Sequence, residues 1–315
     1  MRRTITAVFF LLAIAPLSAQ ETGNLPEVHP RILCTTFPIY QITRQVVQDR
    51  EGARVELMLP ASLGCPHHYA LTPQDMQKLA DAQILVINGL GMEEFLGLPL
   101  QTTNPKLTMI DSSSGITDLL EYADEHDGEA EHHEEKEHHH HDGVNPHLFA
   151  SPRMAAQLAL TIATGLSKAD PKGSVLYLEN AQAYAATMNV LAGKMAALGK
   201  TLKNNRIVQP HGIFDYLARD MGLEVVAAMQ PHGQEPSAAE MKELVEHIRK
   251  HKAGAIFTEP QYPSGIGQAL ARETGVPVAE LDPVATGPED APLDYYSTVM
   301  KRNMETLRAV LGVKE

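Results

Sequence analysis

The stretch TPQDMQKLADAQILVIN, residues 72–88, decides the fold. Thr72 supplies a hydroxyl suited to an N-cap, and Pro73 suits the first helical position, where its missing N–H costs nothing. A helix is therefore expected over Thr72–Ala82. The apolar run Ile84–Asn88 follows at once and reads as a strand. Upstream, Arg31–Thr36 is β-like, Ile39–Val47 has helical character, and Val55–Leu59 is a second strand ended by Pro60. Downstream, a further strand is expected near Leu107–Ile110. Alternation of strand and helix implies a mostly parallel sheet covered by helices.

The second half repeats this grammar. Strands are expected at Arg206–Gln209, Leu223–Ala227, Ala255–Thr258 and Val278–Leu281, and helices at Ile213–Met221, Ser237–Lys250, Ser264–Thr274 and Tyr295–Leu311. Between the halves, Ser151 and Pro152 cap a helix that runs to about Leu166. In the segment Pro171–Leu202, Tyr177, Ala181, Tyr184, Met188, Leu191, Met195 and Leu198 recur at alternating steps of four and three, which places them on one helical stripe. One helix of about thirty residues extends ~45 Å, enough to run along two lobes. The expected architecture is thus two open, mostly parallel α/β lobes, residues 28–168 and 204–315, joined by a rigid linking helix at 170–203.

Composition bounds the function. Of 315 residues, 43% are apolar and 21% charged, which suits a globular chain. Arg2 and Arg3, the apolar run Ala7–Ala15 and the small pair Ser18 and Ala19 read as a secretory signal over residues 1–19. The run is far short of the ~20 apolar residues that span a bilayer, and no cysteine follows it to carry a lipid, so free diffusion in a periplasm is expected. The formal charge is −13, and loss of Arg2 and Arg3 with the leader takes it to −15. Such a balance argues against nucleic acid and fits a cationic ligand. Cys34 and Cys65 are open to three readings: buried thiols, a disulfide, or an auxiliary metal thiolate at Cys65.

Residues 124–142 break the pattern, with His126, His132, His133, His138, His139, His140 and His141 set among acids. This segment cannot bury a core and reads as a solvated loop whose clustered imidazoles could bind metal ions weakly. Elsewhere, polar ligands just past a strand are the informative ones, because open α/β sheets bind ligands outside the carboxyl ends of their strands. His67, His147, His211 and Asp282 qualify, two from each lobe. Three imidazoles with a carboxylate or water satisfy Zn²⁺, whereas Mg²⁺ and Ca²⁺ call for more oxygen; Mn²⁺ and Fe²⁺ are less suited. Separations of 80, 64 and 71 residues form no local motif.

The motifs CPHHYALTP (65–73), NPHLFASP (145–152), EPSA (235–238), EPQ (259–261) and LDP (281–283) resemble the metal-binding cluster of ABC-transporter solute-binding proteins, the zinc members in particular. That resemblance covers the chain from about Arg31 onward. It implies metal ligands at His67, His147, His211 and Asp282, with water as the alternative to Asp282 and His68 as the neighbour able to replace His67. It further implies Zn²⁺ as cargo, delivery to the membrane permease of an ABC importer, and a monomer without catalysis. His at position 211, where manganese or iron carriers of the family usually have Glu, points to zinc. Tyr69 and Phe214 are shielding or core residues, Glu259 and Glu235 read as outer-partner or structural acids without a direct ligand role, and His232, His247 and His251 read as surface, the last two spaced four apart on one helix and open to adventitious metal. Two readings from other classes remain. A zinc hydrolase would use the same histidines with Glu259 as base, although no His-Glu-x-x-His motif is present; a metal-storage or adhesin protein would depend on the loop.

Overall fold

Each lobe is built on a four-stranded, all-parallel sheet. In the first, β1 (Arg31–Cys34), β2 (Arg54–Leu57), β3 (Ile84–Ile87) and β4 (Thr108–Asp111) lie in the order β2-β1-β3-β4. In the second, β5 (Arg206–Gln209), β6 (Glu224–Ala228), β7 (Ala255–Thr258) and β8 (Val278–Glu280) lie in the order β6-β5-β7-β8. The winding direction therefore reverses between β1 and β3, and again between β5 and β7, which places a ligand crevice beyond the carboxyl ends of those strands. The helices are α1 (Phe37–Val47), α2 (Pro73–Asp81), α3 (Pro152–Ala169), α4 (Ser174–Thr201), α5 (Asp215–Met221), α6 (Ala238–His251), α7 (Gly265–Thr274) and α8 (Tyr295–Leu311). This computed structural model describes residues 29–64, 66, 69–97, 103–121, 143–230 and 235–314. The expected leader, the His-rich segment 124–142, Cys65, His67, His68 and His232 lie outside the described residues.

The two-lobed parallel α/β fold is the expected one, with element ends displaced by up to three residues. β1 stops at Cys34 because Thr36 already serves as N-cap of α1, whose first turn holds Pro38. Thr72 closes a capping box. Its hydroxyl accepts from the Asp75 N–H at 3.2 Å, and the Asp75 carboxylate accepts from the Thr72 N–H at 2.9 Å, an exchange worth about 1 kcal/mol. The linking helix begins at Ser174; Pro171–Gly173 forms a separate 3-10 turn before it.

Period-two alternation sorts each parallel strand between two apolar layers. Ile32, Cys34, Ile84 and Val86 face one large core, to which Ile207, Ala255 and Phe257 of the other sheet also belong. Leu33 and Leu85 face a smaller cluster with Met58 and Leu79, and Val208 and Ile256 face a third with Ile248 and Leu270. The stripe Tyr177, Ala181, Tyr184, Met188, Leu191, Met195 and Leu198 is buried throughout and completes the shared core. Helix α4, about 42 Å long at 1.5 Å per residue, packs on α1 and α3 of the first lobe and on α5 and α8 of the second. Cys34 keeps a free thiol, which burial pushes up to about 12, so it behaves as an inert core group. Among the described residues no helix is long and apolar enough to cross a membrane.

Polar bonds cross between the lobes. The Tyr296 hydroxyl donates to the Phe149 carbonyl at 2.6 Å, the Tyr216 hydroxyl donates to the Asn145 carbonyl at 2.8 Å, and Arg153 pairs with Asp220 at 2.9 Å. Where α4 passes the end of α5, Gly199 is required: a Cβ there would stand 1.8 Å from the Met221 carbonyl oxygen. Gly199→Ala is therefore expected to destabilise the protein by roughly 1–3 kcal/mol through overpacking, read as a lower urea midpoint with the slope unchanged.

Candidate metal site

Residues that follow the carboxyl ends of strands in both lobes enclose one small cavity of about 10 Å³, the size of about one water or ion. Thr36 and Met92 line it from the first lobe, together with His147, Phe149 and Pro66, and Ala285 closes it from the second. His147 precedes the 3-10 turn Leu148–Ala150 that leads into α3, and its ring is buried with an edge contact to Phe149 at 5.9 Å. His211 stands two residues past β5. The rings of His147 and His211, one from each lobe, lie 5.1 Å apart between centroids.

Glu259, the first residue beyond β7, is buried and sets a carboxylate oxygen 3.3 Å from Nδ1 of His211. The pairing of β5 with β7 explains the contact, because residues just past neighbouring parallel strands come side by side. Burial pushes the Glu259 carboxyl up to about 8, opposed by a hydrogen bond from the Gln261 amide and reinforced by the negative charge of Asp282. Asp282 is buried too. Desolvation raises its carboxyl, while the Val284 N–H at 2.8 Å and Arg302 at 2.9 Å pull it back. Asn303 clasps the Asp282 backbone, accepting from its N–H at 3.1 Å and donating to its carbonyl at 2.7 Å. A desolvated carboxyl against the His211 imidazole, with a second buried carboxyl acting on it through its charge, forms an environment that a bound cation would relieve.

Of the four expected ligands, the structure brings His147 and His211 together, holds Asp282 in its ion pair with Arg302, and leaves His67 outside the described residues. Among the described residues no three His, Cys, Asp or Glu side chains stand close enough to hold an ion jointly. The loop that leads to His67 nevertheless reaches this cleft: Pro66 lines the cavity, and the Ala61 carbonyl accepts from the Gly287 N–H at 3.1 Å. Glu259, expected as an outer partner or structural acid rather than a direct ligand, stands against His211, and its position directly after a strand is the signal that brings it there. Glu235 is exposed. Phe214 lies in the shared core, and Tyr69 packs at 5.9 Å against Phe95 in the cluster under α2. His247 and His251 stack on one another at 4.2 Å on α6.

A family model described as "Zinc-uptake complex component A periplasmic" (ZnuA) matches residues 32–310. The chain belongs to this family. It is 30% identical over 318 residues to the high-affinity zinc uptake system protein ZnuA of Bacillus subtilis, covering 98% of this chain and 97% of that one. With the zinc-binding lipoprotein AdcA of Streptococcus pneumoniae it shares 32% identity over 281 residues, 88% of this chain and 55% of that longer protein. Among solved structures, the solute-binding protein FpvC of Pseudomonas aeruginosa in complex with Ni²⁺ superposes with a TM-score of 0.75 at 30% identity, covering 90% of this chain and 97% of that one. The ZnuA fold is thus shared by proteins whose names or bound ions include zinc and nickel.

Beside the Pro146–His147 segment of this ZnuA-family chain lies a further buried acid, Glu93. Glu93 accepts from the Thr35 hydroxyl at 2.7 Å, the Asn88 N–H at 2.7 Å and the Gly89 N–H at 3.1 Å, and the Asn88 amide donates to the Pro146 carbonyl at 2.9 Å. Burial pushes Glu93 up to about 7, against the effect of these donors. A carboxyl raised on folding contributes stability that is fully present below its unfolded value and is lost as pH rises through the folded one. In thermal melts of metal-free protein, the stability of Glu93→Gln relative to the parent is therefore expected to move in the variant's favour between pH 5 and 8; a pH-independent difference contradicts the assignment.

Proposed function

We propose that this chain captures Zn²⁺ in the periplasm and hands it to the membrane permease of an ABC importer. The observation that carries the reading is the meeting of His147 and His211 across the lobe boundary at 5.1 Å, with the buried carboxyl of Glu259 against Nδ1 of His211. Imidazole nitrogen is a preferred zinc donor, and a carboxylate on the far ring nitrogen orients such a ligand and raises its basicity. His67 is the third imidazole of the proposal, supported by its neighbour Pro66 in the cavity wall. The fourth position falls to Asp282 or to water, and Asp282 would exchange its bond to Arg302 for the ion.

The protein acts in this reading as a carrier without catalysis, exported by the leader at residues 1–19 and working as a monomer. Family membership as component A of a zinc-uptake complex supports both the partner and the compartment. The histidines of residues 124–142 serve as a weak scavenging loop, since ordering it on an ion costs entropy that a preformed cleft avoids.

Titration of metal-free protein by chelator competition tests this. Zn²⁺ is expected to bind more tightly than Mn²⁺ or Fe²⁺, and removal of residues 124–142 is expected to leave one tight site. His67→Ala, His147→Ala and His211→Ala should each weaken zinc by more than the roughly 10–100-fold typical of losing an outer partner. Full affinity in His211→Ala would contradict the site. Affinity is also expected to fall as pH drops from 7.5 to 5.5, because a ligating imidazole, with an ordinary value near ~6.5, must be neutral.

A further inference from the structure

Asn145 touches both halves of the site through one amide. Fully buried, it accepts at Oδ1 from the His147 backbone N–H at 2.9 Å, and the same oxygen lies 2.9 Å from Nδ1 of the His147 ring. Its Nδ2 group donates to the Gly212 carbonyl at 2.6 Å and to the Asp215 carboxylate at 2.8 Å. Two acceptors on the nitrogen and a backbone donor on the oxygen fix which way the amide faces. The atom facing His147 Nδ1 is therefore an acceptor, so that ring nitrogen must carry the proton. A neutral histidine with Nδ1–H has its lone pair on Nε2. Free histidine in water favours the opposite tautomer, so the protein selects this one.

The other end of the amide reaches the second lobe. Gly212 follows His211 directly, and the Ile213 N–H bonds back to the His211 carbonyl at 2.6 Å, so the Nδ2 donors grip the turn that carries His211. Asp215, which receives one of those donors, is held from its other side by the Gln209 amide at 2.6 Å, and Gln209 also accepts from the Phe214 N–H at 3.0 Å. The chain of contacts runs from the end of β5 through Asp215 and Asn145 to the His147 ring.

We propose that Asn145 is the positioning residue of the metal site: it fixes His147 as the Nδ1–H tautomer and ties that ring to the turn bearing His211, so that two imidazoles from different lobes are set by one amide. This rests on the reading of His147 as a zinc ligand. Outer partners of this kind typically alter metal affinity 10–100-fold, by pre-setting tautomer and ring orientation.

Nitrogen-15 NMR of the imidazoles in metal-free protein reads the tautomer directly, and zinc competition reads the affinity. His147 is expected as Nδ1–H in the parent. Asn145→Ala should lose that preference and bind zinc 10–100-fold more weakly. Should Asn145→Ala fail to fold, the parent alone decides the tautomer, and Asp215→Asn, which removes the charged acceptor of the Nδ2 group while leaving Oδ1 facing His147, is expected to keep His147 as Nδ1–H; an Nε2–H ring there contradicts the assignment. An Nε2–H His147 in the parent, or parental zinc affinity in Asn145→Ala, overturns the proposal. The two claims separate cleanly. Undiminished affinity in His147→Ala defeats the ligand reading, whereas its loss there with none in Asn145→Ala defeats only the positioning role.

Discussion

The apolar stripe of α4 is the constraint on which the rest of the structure depends. Because Tyr177, Met188, Met195 and their companions are buried in a core that also takes the inner faces of both sheets, the lobes share one hydrophobic interior. Close packing of such an interior resists the sliding of one lobe past the other. The carboxyl ends of β1, β3, β5 and β7 are thereby held toward a common cleft, and the short loops beyond them can contribute side chains to one small cavity. Hydrogen bonds from Tyr216 and Tyr296 across the boundary reinforce this at the level of individual carbonyls.

Given that frame, electrostatics decides what the cleft receives. Glu259 and Asp282 sit in an apolar setting that disfavours their charged forms, close enough for one to raise the other. Arg302 already supplies a positive charge to Asp282, whereas Glu259 has the His211 ring and the Gln261 amide beside its carboxyl, and in the proposed function a divalent ion would supply the charge there. As proposed ligands the imidazoles would provide nitrogen donors, which separates such a site from the all-oxygen cages of hard ions. Neutral polar groups do the orienting: Asn145 at His147, Asn303 at the backbone of Asp282, and Gln261 at Glu259.

Much of the fold was legible in the sequence because it rests on local rules. Thr72 and Ser151 cap the helices they were expected to cap, and the four-and-three spacing from Tyr177 to Leu198 marks the buried face of α4. Alternation of strand and helix gave the parallel sheets. The order of strands within each sheet, by contrast, was never written in any local pattern, and that order brings Glu259 beside His211. Asn145 was visible only as part of an Asn-Pro-His motif; its grip on Gly212 and Asp215 arises from contact between lobes 67 and 70 residues apart in the chain. Strand β1 ends two residues short of the extended run Arg31–Thr36, since the propensity of Thr35 and Thr36 for extended structure yields to the start of α1.

In the proposed function, imidazoles from separate lobes converge on a single zinc ion. Zinc-edge X-ray absorption on protein lacking residues 124–142 and loaded with one equivalent of Zn²⁺ measures that shell directly. Three imidazole nitrogens at about 2.0–2.1 Å and one oxygen are expected, whereas a sulfur at about 2.3 Å, or a shell of oxygens without imidazole scattering, would rule out the proposed convergence.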